Sequence, residues 1–158
     1  MGKRIGHEMR EKLGLPDVSQ IGVVVRDLNK TIEYYENVLG LGPFVRPEFL
    51  FTATFYYGKP VDSLWMMGFC SLGPVELEII QHVTGPTIYK DFLKERTEGI
   101  HHLGFDVDDM NEKLALCQKM GIQIIQNGWG ATSRFAYLDT VKIGGVVFEL
   151  IERKSRRA

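Results

Sequence analysis

Four polar residues define the chemistry open to this chain: Gln20, Glu78, His102 and Glu149. Two carboxylates, one imidazole and one amide oxygen suit a divalent first-row ion such as Zn2+, Co2+, Ni2+, Mn2+ or Fe2+. The carboxylates neutralise the ion, and four protein ligands leave two positions of an octahedron for water or substrate. Singly, each residue has a plainer reading, a solvated strand residue or a histidine satisfying a hydrogen bond. Their spacing argues for the joint reading. Gln20 and His102 stand 82 positions apart and Glu78 and Glu149 stand 71 apart, each pair at equivalent places in an internal repeat.

The repeat sets QIGVVVRDLNKTIEYYENVLGL, from Gln20, over HLGFDVDDMNEKLALCQKMGI, from His102, so that Gly22 falls on Gly104, Asp27 on Asp109 and Asn29 on Asn111. GPVELEII, residues 73–80, lies over GGVVFELI, residues 144–151. Each half opens with a β-rich run, 19–25 or 101–107. Asp27 or Asp109 follows at a helix N-cap, where a carboxylate accepts from unpaired backbone N–H groups. A helix is predicted over 28–38 and over 110–120, each stopped by a glycine. Three strands complete each half: 43–57, 62–70 and 74–81, then 122–127, 133–138 and 145–152.

The fold class expected is α+β: two tandem βαβββ modules forming a cupped, barrel-like mixed sheet with helices outside. A helical extension is expected in residues 1–17, with its helix at 3–13, and a single domain over 18–152. Module one is 18–82, a linker with a short helix at 88–96 fills 83–98, and module two is 99–152. Residues 153–158, with Arg153, Lys154, Arg156 and Arg157, form a solvated basic tail.

Strand side chains alternate between faces. Ile21, Val23 and Val25 pack under the first helix, and Leu103, Phe105 and Val107 under the second. Gln20, Glu78, His102 and Glu149 point the opposite way, into the cup, as does Glu76. His101 falls on the helix side and reads as a satisfied core histidine. His82 and His7 lie outside the constellation. Phe51, Phe55, Tyr57, Trp65 and Trp129 lie near the mouth, with core packing the plainer reading for most. Arg46, Lys59, Arg134 and Lys142 are candidates to meet a phosphate or carboxylate, with solvation the plainer fate of each.

A net charge of -1 makes no electrostatic case for nucleic acid or an anionic membrane surface. With 44% hydrophobic and 25% charged residues the chain reads as soluble and globular. No apolar run approaches a membrane span, and residues 1–17 lack the apolar centre of a signal peptide, so a cytoplasmic protein is expected. Cys70 and Cys117 sit in apolar stretches and are expected as buried free thiols.

The repeat, the VRDL strand exit at residues 25–28, the EGIHHLGFDVDD run at 98–109 and the GGVVFELIE ending at 144–152 together resemble the vicinal-oxygen-chelate superfamily. That superfamily holds glyoxalase I, methylmalonyl-CoA epimerase, extradiol dioxygenases and fosfomycin- and bleomycin-resistance proteins. The resemblance spans roughly residues 18–152, and it places the family's metal ligands on Gln20, Glu78, His102 and Glu149. The GIHH and GGxxxELIE segments are most similar to the epimerases. The ligand set Gln, Glu, His, Glu is that of eukaryotic-type glyoxalase I. Two departures stand out. Val24 occupies the place of an arginine that helps such glyoxalases bind glutathione. Trp65 or Met66 stands where the epimerases carry a second, non-ligand glutamate.

The resemblance implies one divalent ion (Zn, Co, Ni or Mn) and a small-molecule substrate, possibly a CoA thioester. The leading expectation is an isomerase or epimerase that takes a proton α to a carbonyl, with methylmalonyl-CoA as the leading substrate. Glu149 is the candidate base, and Glu78 opposite it serves the second face. A glyoxalase I-type lyase on a thiol–ketoaldehyde adduct is the alternative. A non-catalytic, resistance-type binding protein is the alternative from another class. An extradiol dioxygenase needs a second histidine where Gln20 stands. A homodimer is expected by the same resemblance.

Overall fold

Asp27 and Asp109 begin the two main helices as the repeat predicts. Their carboxylates accept from the backbone N–H of Lys30 and Glu112. The computed structural model describes residues 12–48 and 51–154. The elements run β1 (Gln20–Val25), α1 (Leu28–Asn37), β2 (Ala53–Tyr56), β3 (Lys59–Pro60), β4 (Leu64–Leu72), β5 (Val75–Thr84), α2 (Ile88–Glu95), β6 (Gly99–Asp106), α3 (Met110–Met120), β7 (Ile124–Trp129), β8 (Ser133–Leu138) and β9 (Val147–Arg153).

The strands form one curled sheet in the order β3-β2-β7-β8-β9-β6-β1-β5-β4. Its centre is the antiparallel pair β1 and β6, the opening strands of the two repeats. Each is flanked by its own module's last strand in parallel, β5 beside β1 and β9 beside β6. The pseudo-two-fold thus falls between β1 and β6, and the four ligand-bearing strands are neighbours.

Helices α1 and α3 cover the convex side. Leu28 and Ile32 of α1 pack on Val23, Val25, Leu77 and Ile79. Met110 and Cys117 of α3 pack on Val107, Ala136, Leu138 and Leu150. Burying Ile32 and Ile79 contributes about 1.5–3 kcal/mol each, which clamps the strand that carries Glu78. Cys70 and Cys117 are buried and free.

Three features depart from the sequence expectation. The run 43–57 is not one strand. Val45 makes an isolated bridge to Phe69 of β4, and only Ala53–Tyr56 is strand, pairing with β7 of the other module. Pro43 and Pro47 lack the N–H a continuous ladder needs, so the chain leaves β4 and crosses to the far edge. The linker helix α2 is also not on the outer face. Its Ile88 and Tyr89 pack inside the cup on Val24, Trp65, Ile80, Tyr137 and Val147. Finally, β9 runs through Arg153, the first residue of the stretch read as tail.

The helix predicted at 3–13 lies, over 3–11, outside the described residues, as do residues 155–158. Lys12 and Leu13 are not helical. Leu13 and Leu15 dock on the α3 cluster, where Lys113 Nζ donates to the Leu13 carbonyl at 2.9 Å.

Candidate metal centre

Register brings the four predicted ligands together. One row across the sheet reads Glu76, Gln20, Gly104, Glu149, and the next reads Glu78, Gly22, His102, Val147. Gln20 and His102 therefore each lie beside a glycine of the other module. A Cβ built on Gly22 would stand 1.9 Å from His102 Cε1, and one on Gly104 would stand 2.9 Å from Gln20 Cβ. The alignment of Gly22 with Gly104 is explained by this crossing: the imidazole and the amide side chain lie over bare backbone.

His102 Nε2 stands 2.9 Å from Glu149 Oε2, 3.3 Å from Glu78 Oε2 and 3.3 Å from Gln20 Oε1. The four side chains belong to residues only 0 to 5% exposed. Beyond these contacts with His102 Nε2, Glu78 Oε2 and Glu149 Oε2 have no hydrogen-bond partner among the described residues. Buried acceptors without donors are costly, and one imidazole N–H cannot serve three of them. Glu78, His102 and Glu149 form a group able to hold a metal ion, their ligand atoms within 4.8 Å of one another. The donor set, anionic and short of protons, fits a divalent cation.

Gln20 is fixed oxygen-inward. Its Nε2 donates to Glu76 Oε1 at 2.9 Å, and a carboxylate can only accept. Glu76 is held in turn by Arg153 Nη2 at 2.9 Å, and Arg153 Nε donates to Asp106 at 3.2 Å. Alternation puts Glu76 on the cup face without assigning it a task, and composition puts Arg153 in a solvated tail. Only the meeting of β9 with β5 across the curled sheet shows the link.

His101 needs a correction. The β1–β6 pairing slips between Gly22 and Val23, opposite His102 and Ile100. This bulge resets the alternation and turns His101 to the cup side. Its Nδ1 lies 3.0 Å from His102 Nδ1, and its ring packs edge-on against Tyr89, Phe92 and Tyr137. Burial, with His102 adding, holds its pKa well below the usual histidine value. Tyr89 and Tyr137, joined hydroxyl to hydroxyl at 2.9 Å, stand beside the centre and had no sequence signal.

The remaining candidates disperse. Phe51 and Trp65 enter the cup, with ring centroids 5.4 Å apart, and Phe51 meets Phe135 at 4.7 Å. Phe55 stacks on Trp129 away from it, and Tyr57 is exposed. Arg46 bonds Asn29 and lines a cavity of about 540 Å3 that Phe51 and Trp65 also line. Arg134 is held by Asn111 and Lys142 by Asp139, and Lys59 is exposed on β3. His82 bonds Thr87, the N-cap of α2.

The electrostatics of the metal-free centre set a pH dependence. Burial acts to lower the His102 pKa, but Glu149 and Glu78 outweigh it and raise it to about 9. Burial raises Glu78 to about 7, against the pull of His102 and with the push of Glu149. Both groups bind protons more tightly folded than unfolded, so their contribution to stability is complete at low pH. It is lost as pH rises through about 7 for Glu78 and about 9 for His102. A divalent ion needs both groups deprotonated and must displace those protons. Zinc affinity is expected to rise about tenfold per pH unit between roughly 7 and 9, then level off. Calorimetry in buffers of different ionisation enthalpy counts the protons. A pH-independent affinity with no proton release would contradict the assignment.

Gly22→Ala tests the crossing. The new Cβ meets a side-chain ring, which can swing away, so the fold is expected to survive while His102 leaves the centre. Zinc affinity should fall by about 100-fold, and the metal-free melting temperature should fall as well, because Glu78 and Glu149 lose their neighbouring donor. Unchanged affinity would show that the ring does not need to lie over Gly22.

Comparison with known proteins agrees with this fold. Residues 19–137 match the family model of the glyoxalase/bleomycin resistance protein/dioxygenase superfamily. The chain belongs to that superfamily. It is 29% identical over 141 residues to the uncharacterized protein YqjC of Bacillus subtilis (strain 168), covering 87% of this chain and 92% of the other. Its fold is similar to that of methylmalonyl-CoA epimerase from Mycobacterium tuberculosis, with a TM-score of 0.66 and 20% identity, covering 94% of this chain and 95% of that one. It is equally similar to a Streptomyces coelicolor methylmalonyl-CoA epimerase variant in complex with 2-nitronate-propionyl-CoA, with a TM-score of 0.66 and 20% identity, over 90% of this chain and all of that one.

Proposed function

We propose that this protein is a divalent-metal-dependent isomerase that removes and returns a proton α to a carbonyl, with an acyl-CoA such as methylmalonyl-CoA as the leading substrate. The observation that carries the reading is the gathering of two buried carboxylate oxygens, Glu78 Oε2 and Glu149 Oε2, around His102 Nε2, more acceptors than its single N–H can serve. Gln20, Glu78, His102 and Glu149 would hold the ion, whether zinc, cobalt, nickel or manganese. When bound, it supplies a Lewis acid beside the carbonyl oxygen, where negative charge develops as the α proton leaves.

The protein's own residues supply the rest. Glu149 takes the proton on its carboxylate, and Glu78, its repeat mate, faces it across the centre and serves the opposite side of the planar carbon. This pairing replaces the glutamate absent from β4, where Trp65 is buried in the cup and Met66 points out. Gln20 contributes a neutral oxygen aimed by Glu76. Tyr89, Tyr137, Phe51 and Trp65 wall the cup with apolar surface and keep water from competing. A CoA substrate is supported by the folds it resembles, one of which is described in complex with an acyl-CoA analogue. A homodimer belongs to the same proposal.

The glyoxalase reading draws on the ligand set, but the arginine that helps such glyoxalases bind glutathione is replaced by Val24. Val24 is fully buried, and Arg26 spends its guanidinium on the Leu93 carbonyl beside α2. The test is epimerisation. Cobalt-loaded protein given one epimer of methylmalonyl-CoA should produce the other, and metal-stripped protein should not. A protein that holds metal yet leaves the epimer unchanged would remove this substrate and send the search to hemithioacetal adducts. A protein that holds no metal would favour a binding role.

A further inference from the structure

We propose that His101, which is not a ligand, is the positioning residue of the metal centre: it accepts the Nδ1–H of His102 and so fixes the tautomer that leaves His102 Nε2 free to coordinate. The inference rests on the metal-centre reading above and adds a residue to it.

The two imidazoles meet nitrogen to nitrogen, Nδ1 to Nδ1 at 3.0 Å, with both residues buried. Two lone pairs or two N–H groups at that distance would repel, so one nitrogen carries the proton and the other accepts it. The centre decides which. His102 Nε2 is the nitrogen that faces Glu149, Glu78 and Gln20. Coordination there requires its lone pair, and a neutral imidazole must then carry its proton on Nδ1. His101 Nδ1 is consequently the acceptor, and the His101 proton sits on Nε2.

The protein provides for that second proton. His101 Nε2 has no hydrogen-bond partner among the described residues. His101 lines a cavity of about 500 Å3 under α2, together with the polar side chains of Asp91, Asp139 and Lys142. That space has room for water to accept the Nε2–H. Rotation is restrained as well, since the His101 ring lies edge-on to Phe92 at 5.1 Å and to Tyr89 and Tyr137 at 5.7 Å. The bulge that upset the strand alternation is what places His101 here. Without it the ring would turn to the convex side and His102 Nδ1 would face an apolar wall.

Zinc-loaded protein carrying 15N-histidine gives a direct readout. Long-range proton–nitrogen spectra should show His102 protonated at Nδ1 and zinc-bound at Nε2, and His101 protonated at Nε2. His102 bound through Nδ1, or His101 protonated at Nδ1, would overturn the proposal. Two variants supply the energetic arm, read by zinc titration. His101→Asn retains an acceptor close to the Nδ1 position and should bind zinc within about threefold of the parent. His101→Phe keeps the ring packing without the acceptor and should bind about 10–100-fold more weakly, the range for a lost outer partner of a metal-bound histidine. Equal zinc affinity of His101→Phe and the parent overturns the proposal and leaves the metal centre standing. Failure of the parent itself to bind zinc through His102 overturns the metal-centre reading. Should His101→Phe not fold, the spectra of the parent decide.

Discussion

Glu149→Gln is expected to lower turnover by about 10^3-fold, within the range for loss of a general base. The amide matches the carboxylate in shape and cannot accept the α proton. Glu149 is the closer carboxylate to His102 Nε2, at 2.9 Å against 3.3 Å for Glu78. Removing one of two negative charges also weakens the ion's hold, so turnover must be compared at saturating metal. Under that condition the loss belongs to proton transfer, and the substrate KM should change much less than kcat. Glu78→Gln, saturated likewise, should still exchange the α proton but lose interconversion of epimers, because one face keeps its base. Full turnover by metal-saturated Glu149→Gln would remove Glu149 from the chemistry.

Metal loading is expected to raise the melting temperature substantially. A ligand at 100 times its dissociation constant stabilises the folded state by about 2.7 kcal/mol. For a domain of this size that corresponds to roughly 5–11 °C. Glu78 Oε2 and Glu149 Oε2 are buried and share one neighbouring donor, His102 Nε2, so the ion relieves an existing cost as well as adding bonds. Chelation should reverse the shift, and His102→Ala should abolish it. Thermal melts with zinc, cobalt, nickel and manganese, each with and without chelator, measure both effects. An unchanged melting temperature for the parent chain, or an equal shift in His102→Ala, would contradict the ligand assignment.

Much of the fold was legible because the repeat constrains it twice. Asp27 and Asp109 cap helices at matching places, and the helix expected at 110–120 is α3, Met110–Met120. Gln20, Glu78, His102 and Glu149 fall on one face by alternation, and their strands are adjacent because β1 and β6 pair about the pseudo-two-fold.

What escaped the sequence has physical reasons. Alternation cannot reveal a bulge, since His101 and His102 oppose one partner residue only once β6 has paired with β1. Strand propensity over 43–57 hid the break, because whether Tyr56 pairs with β4 or with β7 is a choice between distant partners. The apolar stripe of α2 fits either face of the sheet, and the room inside the cup that admits Tyr89 exists only after the sheet has curled. The Glu76–Arg153 contact joins residues 77 positions apart and carries no local pattern.

The most direct test of the central claim is α-proton exchange. Protein loaded with cobalt or manganese is incubated with methylmalonyl-CoA in D2O, with metal-stripped protein as control, and mass spectrometry follows deuterium at the α carbon. The account predicts rapid uptake that depends on the metal and that, for the epimer whose α proton faces Glu149, is lost in Glu149→Gln. No uptake by protein shown to hold its metal would contradict proton abstraction from this substrate.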